Sequence, residues 1–483
     1  MTSRRIVMTT LMAGLIATLS LPAAATTLIQ TFEHETWDEK PDQTIAEAVE
    51  ALREVHPYLV DVRNADMTRT RRVNGYVEQG LEVKIPTGFF RGFGPYARLP
   101  EVAEEAWYRY YVYLSNFRPV GSGKLPGLAD ASRTLNAKGC KPSTPESPGW
   151  SARMMFDRLG TLGAKPDQVP IGFYVYHAGQ QANCGDELII GALDQRRWTC
   201  IEGHIRMNTP GQPNGLIEGW IDGERVFRED HFEFRRAGEA LGIREMWNNV
   251  YFGGSYPTPN DLSLILDEMV VSTTGRVGCL DPFTDDNDSV HESSITELHA
   301  RRLFYGCGAR LACPHDYITR AEFASILHRA FGGPKGSNAF IDDDGHWAEA
   351  PINSLAAQGI LRGCNPPANT RVCPEAFITR AEAAAMVRRL LGLPKGPDAF
   401  EDDRGSWAEG DINALAAAGI SRGCNPPANT RYCPERSISR DEAATFTLRI
   451  DNLLSELTTL AAPDLPKWPP LGPPPEKPPE EQE

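Results

Sequence analysis

The C-terminal sequence repeats itself. Shifted by 60 positions, Phe340 falls on Phe400, Trp347 on Trp407, Cys364 on Cys424, Cys373 on Cys433 and Arg380 on Arg440. A repeat this dense constrains the fold more than composition does, because one supersecondary unit is built several times and each copy buries its apolar face against a neighbour. An earlier copy runs through Phe283, Gly306-Cys307, Cys313 and Ile318-Thr319-Arg320-Ala321-Glu322. Its cysteine loop is three residues shorter, which accounts for the 57-residue step from Cys307 to Cys364.

Each copy reads Phe-x-Asp-Asp, a helical stretch, Gly-Cys, a loop, Cys-Pro, and then Thr/Ser-Arg-Ala/Asp-Glu at the start of a second helix. Thr319 with Glu322, Thr379 with Glu382 and Ser439 with Glu442 fit the capping box, in which hydroxyl and carboxylate satisfy the free N–H groups of a helix start. The arginine between them is not explained that way, because the helix dipole disfavours a cation there. Arg320, Arg380 and Arg440 therefore call for an anionic partner. The spacing of Cys307 with Cys313, Cys364 with Cys373 and Cys424 with Cys433 would close one short loop per copy, a crosslink that restricts the unfolded chain.

Phe-x-Asp-Asp, Trp, Gly-Ile and Ile-Thr-Arg-Ala-Glu together resemble the S-layer homology family over roughly 283–450, with copies at 283–332, 340–392 and 400–452. That resemblance implies an all-α repeat domain holding its protein to a secondary cell-wall polymer or peptidoglycan. The motif arginines Arg320, Arg380 and Arg440 and the tryptophans Trp347 and Trp407 are its implied glycan contacts. The first copy carries His291 near the tryptophan position, and the third carries Ser439 and Asp441 in the motif.

At the other end, Arg4 and Arg5 precede an apolar run from Ile6 to Leu21 and the small residues Ala23-Ala24-Ala25. This pattern predicts a secretory signal over 1–25, cleaved rather than kept as a membrane span, and no second stretch is long and apolar enough to cross a bilayer. Export to the cell surface or envelope follows. Ten cysteines in an exported chain point to disulfides, and without CxxC pairs or clustered histidines zinc is not expected. Cys140, Cys184, Cys200 and Cys279 allow three pairings. The acidic runs 342–344 and 285–288 lack the EF-hand arrangement, so neither metal nor cofactor is expected. A formal charge of -15 makes nucleic acid an improbable partner.

Between 26 and 276 the chain is rich in alternating, aromatic and β-branched stretches: 107–114, 171–177, 187–192, 201–208 and 216–227. Ile221-Asp222-Gly223-Glu224 breaks the last as a two-residue hairpin turn. The expected fold is an all-β jelly-roll sandwich of the concanavalin-like kind, with one helix over 42–55. An acidic connector at 277–292 leads into the first repeat, and the proline-rich end, 463–483, cannot build a core.

Four pieces of the β region appear in order: Lys124-Leu125-Pro126-Gly127-Leu128, Trp150-Ser151-Ala152-Arg153, Tyr174-Val175-Tyr176-His177 and Asn208-Thr209-Pro210-Gly211. Alternation puts Ser151 and Arg153 on one side of their strand, and Tyr174 and Tyr176 on one side of theirs. Together the pieces resemble polysaccharide lyase family 14, the alginate-lyase-like enzymes, over roughly 75–271. The resemblance implies β-elimination on a uronic-acid polymer, with Lys124, Ser151, Arg153, Tyr174 and Tyr176 at functional positions.

The residue types suit that chemistry. Lys124, Arg153 and Ser151 can stabilise charge developing on a uronate carboxylate, and a tyrosine can pass protons as base and acid. Tyr176 is the favoured base and acid, Tyr174 its support, and His177 the rival base, facing away by alternation. Glu202, His204, Arg206 and Asn208 share one face of a further strand and are candidate substrate contacts. Residues 51–200 hold 15 acids and 19 bases, so this part is mildly cationic within an acidic chain, which is compatible with a polyanionic substrate. A non-catalytic glycan-binding sandwich is the alternative, since a fold does not fix a function. Glycoside hydrolysis is disfavoured by the want of a recognisable carboxylate pair.

Overall fold

The computed structural model describes residues 27–30, 59–62, 70–77, 79–130, 140–253 and 257–461. The predicted signal (1–25), the predicted helix (42–55) and the proline-rich end (463–483) lie outside the described residues. The chain divides between Leu280 and Asp281 into two compact units.

The first unit is a sandwich of an eight-stranded and a nine-stranded sheet. Alternation along the strands sorts side chains into a shared interior and two outer faces. Leu128, Ala152, Met154, Phe173 and Val175 of the nine-stranded sheet meet Tyr108, Tyr110, Val112, Ile201 and Ile205 of the other in one core. Each fully buried large apolar side chain contributes about 1.5–3 kcal/mol relative to exposure. The Asp-Gly hairpin forms as predicted: Gly215–Ile221 and Glu224–Phe232 pair around Asp222 and Gly223, both with positive φ (49° and 82°). Asp222 also accepts from the Cys200 N–H at 2.9 Å, fixing the hairpin tip to its neighbouring strand. The four remaining cysteines pair as Cys140–Cys184 and Cys200–Cys279.

The second unit is helical. Each repeat gives a short helix (Glu292–Ala300, Glu349–Ala357, Glu409–Ala417) and a longer one (Arg320–Phe331, Arg380–Leu391, Arg440–Ala461). Pairing crosses repeat boundaries: the long helix of copy one packs on the short helix of copy two, two on three, and three on one. At the centre the Ile378 N–H donates to the Ile318 carbonyl, Ile438 to Ile378 and Ile318 to Ile438, each at 3.1 Å. The three copies thus close into a ring, and no copy buries its apolar stripe by itself. Disulfides Cys307–Cys313, Cys364–Cys373 and Cys424–Cys433 close one loop in each.

Capping boxes form at Thr319/Glu322 and Thr379/Glu382. The third is only half made. Glu442 accepts from the Ser439 N–H at 3.2 Å, but the Ser439 hydroxyl turns to Asp441, whose carboxylate takes the Glu442 N–H at 2.7 Å instead.

Candidate functional site

Strands Gly123–Asp130, Trp150–Phe156 and Val169–Tyr176 lie side by side in the nine-stranded sheet. Their register sets Tyr174 opposite Arg153 and Tyr176 opposite Ser151, with Arg153 in turn opposite Gly127. Because the partners alternate faces, Tyr174 and Tyr176 leave the sandwich core and form a separate cluster with Met155 on the outer face. Gly127 is required by packing: a Cβ there would lie 2.4 Å from the Arg153 Cα.

Lys124 completes the group, its Nζ 3.1 Å from the centroid of the Tyr174 ring. Burial, reinforced by Arg153, pulls the Lys124 ammonium down to about 7. At neutral pH it is therefore divided between ammonium and amine, able to hold a carboxylate or to accept a proton. Arg153 is buried, donates to Asn249 Oδ1 at 3.1 Å and lies over the Trp247 ring at 5.1 Å; its Nε has no hydrogen-bond partner among the described residues. Tyr174 and Tyr176 meet edge to face, ring centroids 5.4 Å apart. Burial, with the Tyr176 charge and hydrogen bond adding to it, pushes the Tyr174 phenol well above its usual range, so Tyr174 stays a donor. The Tyr176 oxygen accepts from the Cys140 N–H at 2.7 Å, and Cys140 is itself held by its disulfide to Cys184. That N–H is placed to meet negative charge on the Tyr176 oxygen.

His177 is bound elsewhere. Its Nε2 lies 2.8 Å from the Asp186 carboxylate and its ring packs edge-on against Phe232 of the core. The candidate contacts on the strand Trp198–Arg206 are not brought to this site. That strand belongs to the other sheet, with Ile201 and Ile205 in the core, so Glu202, His204 and Arg206 occupy the far face of the sandwich. Glu202 binds Arg276 and the Gly278 N–H, while His204 stacks on Trp107 between Glu105 and Glu218. Arg206 is exposed, and Asn208, past the strand end, is buried among the carbonyls of Thr209, Gln212 and Arg235. Alternation sorts residues by face within a strand, but which sheet the strand joins is set by its pairing.

Register also brings residues the sequence reading did not single out. Trp247 stands opposite Gly127 and Tyr96 opposite Trp247, prolonging the row that begins at Tyr174 and Arg153. Tyr251 stands opposite Lys124 and also opposite Arg91, whose guanidinium lies 5.7 Å from the Tyr251 ring centroid. The alternating Glu245, Trp247 and the nearby Tyr251 were the available signal.

In the helical unit the anion that holds each motif arginine is internal. Arg320 binds Glu382, Arg380 binds Glu442 and Arg440 binds Glu322, each reaching the capping glutamate of the next copy. Nε donates to Val372, Tyr432 and Ala312 carbonyls respectively, and all three arginines are buried. An internal ion pair that links each copy to the next thus accounts for the cation at a helix start. Trp347 and Trp407 differ, at 63% and 62% exposed. Trp407 and Arg320 share a groove of ≈ 530 Å³ with Arg362, Arg389, Thr379 and Glu435.

Residues 84–268 match the family model described as Polysaccharide lyase 14. Among curated proteins, the chain is 32% identical over 177 residues to the cellulosome-anchoring protein of Acetivibrio thermocellus, covering 34% of this chain and 38% of that protein. It is 24% identical over 233 residues to the surface layer protein of Brevibacillus choshinensis, covering 47% and 18%. The chain spans less than two fifths of the length of these relatives. Among solved structures, alginate lyase Aly36B aligns with a TM-score of 0.41 at 18% identity, covering 52% of this chain and 97% of that one. Segment 84–268, within the sandwich unit, is thus the part of this chain that carries a polysaccharide lyase 14 domain.

Proposed function

We propose that the sandwich, a jelly roll in its class, cleaves a uronic-acid polymer of the alginate or polyglucuronate type by β-elimination. The observation that supports this most is the pairing of two buried cations, Lys124 and Arg153, with two tyrosines on one sheet face. A uronate carboxylate held by Arg153 and the Lys124 ammonium acidifies the proton on the adjacent ring carbon. Tyr176 removes that proton, the electron pair forms a carbon–carbon double bond, and the glycosidic C–O bond breaks. The departing oxygen takes a proton back from the same phenol, with Tyr174 donating alongside. The non-catalytic glycan-binding reading has one observation on its side, the 1% exposure of Tyr176. Incubating the protein with alginate and with polyglucuronate and following the ultraviolet absorbance of the unsaturated product separates the two, because binding alone yields none.

We further propose that the helical unit is a set of three S-layer homology repeats holding the lyase at the cell surface through a cell-wall polymer or peptidoglycan. Support comes from the exposed Trp407 in the groove that includes Arg320, Arg362 and Arg389, and from the equally exposed Trp347 at the matching position of copy two. Relatives named for anchoring and surface layers agree with it. The protein should sediment with purified cell-wall sacculi, and a failure to do so removes this half of the proposal.

A further inference from the structure

The two aspartates of each Phe-x-Asp-Asp motif have opposite fates. The first is fully engaged: Asp342 accepts from the Val372 and Cys373 N–H groups at 2.7 and 2.9 Å. Asp402 does the same for Tyr432 and Cys433, and Asp285 for Ala312 and Cys313. The second, Asp286, Asp343 or Asp403, is 0% exposed, and neither carboxylate oxygen has a hydrogen-bond partner among the described residues. One such carboxylate could be incidental. Three at equivalent places, in copies that differ elsewhere, mark a requirement of the site.

An ionised carboxylate without partners is costly to bury. The charges that act on it are acids too: Glu349, Asp342 and Asp344 on Asp343, Asp398, Glu409 and Asp402 on Asp403, and Asp281, Glu292 and Asp285 on Asp286. Glu349 is turned back over the loop by the Gly345 N–H, which donates to its Oε2 at 2.9 Å, and Glu409 is turned likewise by Gly405 at 3.0 Å. In copies two and three Asp-x5-Glu therefore folds two carboxylates around one turn, and copy one keeps the same spacing in Asp286 and Glu292. The short helix that follows begins at that glutamate, and its N-cap residue (His291, Ala348 or Ala408) makes no side-chain cap.

We infer that each repeat binds one divalent cation of the calcium class between the second motif aspartate and the glutamate six residues on. Calcium takes six to eight oxygens in flexible geometry, so two carboxylates supplemented by loop carbonyls and water suit it better than the rigid octahedron of magnesium. The ion neutralises the buried aspartate and fixes the turn that carries Trp347 or Trp407. The first motif aspartate is already engaged by two backbone N–H groups, which leaves the second as the one in need of a counter-charge. This inference does not depend on what the repeats anchor to.

The test uses the full chain, stripped with chelator and titrated with calcium up to the millimolar range typical of extracellular sites. Three bound ions per chain and an upward shift in the unfolding midpoint of the helical unit are expected, with magnesium giving a clearly smaller shift. Asp343→Asn and Asp403→Asn should each remove one ion. Terbium luminescence sensitised by Trp347 and Trp407 gives a second readout on the unmutated chain, should either variant fold poorly. A stripped chain that binds no calcium, shows no midpoint shift and excites no terbium overturns the inference. So do folded variants that keep all three ions, the result expected if these aspartates are simply neutral acids.

Discussion

Buried arginines do opposite things in the two units. In the helical ring Arg380 gives Nε to the Tyr432 carbonyl, Nη1 to Glu442 and Nη2 to the Gly423 carbonyl, so its charge and geometry are consumed by the next repeat. In the sandwich Arg153 has a neutral amide and an aromatic face as neighbours, no carboxylate in an ion pair among the described residues, and an Nε without a partner. A cation matched by an internal carboxylate closes a fold. A cation left unmatched, beside a second one and two phenols, is a place for an external anion.

The comparison can be broken most severely at the sheet face. Arg153→Ala and Tyr176→Phe should each cut lyase turnover by roughly 100–1000-fold, the usual worth of an electrostatic stabiliser or a positioned acid–base group; turnover is measured from product absorbance under saturating polymer. Unchanged rates in both would mean the phenols and guanidinium are packing alone. In the ring, Arg380→Ala should leave turnover untouched but destabilise the helical unit by about 1–3 kcal/mol, because the Tyr432 and Gly423 carbonyls lose their donor and Glu442 keeps only Arg436 as counter-charge. Denaturant titration followed by helical signal checks this.

Lys124→Met sharpens the contrast differently. The native state holds this ammonium at about 7 against an ordinary value of 10.5. Below 7 the penalty for burying the charge is present in full; between 7 and 10.5 it fades as pH rises, and above 10.5 it vanishes. The variant should therefore lose activity yet unfold at a higher temperature than the parent at pH 6, with the advantage shrinking by pH 10. In the parent, affinity for the polymer should fall as pH rises through about 7, read as a rising KM. Smallest of all, His177→Asn should change turnover by no more than about threefold, since its ring is held by Asp186 and the core rather than by the tyrosines.

What could be read from the sequence follows the range of the forces involved. Two of the three capping boxes, the Asp-Gly turn and the three Cys loops are local, set within a dozen residues, and are legible. So is the sharing of a face by Tyr174 with Tyr176 and by Ser151 with Arg153, a property of single strands. Sheet membership is not local. Glu202 and His204 alternate as well as Tyr174 and Tyr176 do, yet strand pairing puts them on the far side of the molecule. The role of Arg380 was hidden for the same reason: its carboxylate lies 62 positions away in the next copy. Trp247 and Tyr251 reach the site through pairings with Gly127 and Lys124 that only the register discloses.

If the face built from Lys124, Arg153, Tyr174 and Tyr176 performs β-elimination on a polyuronate, the unsaturated product reports it directly. Full-length protein mixed with alginate and, separately, with polyglucuronate should produce a steady rise in ultraviolet absorbance on at least one polymer, abolished in Tyr176→Phe. Polymer binding with no absorbance change on either substrate would contradict the claim and leave the sandwich as a glycan-binding module.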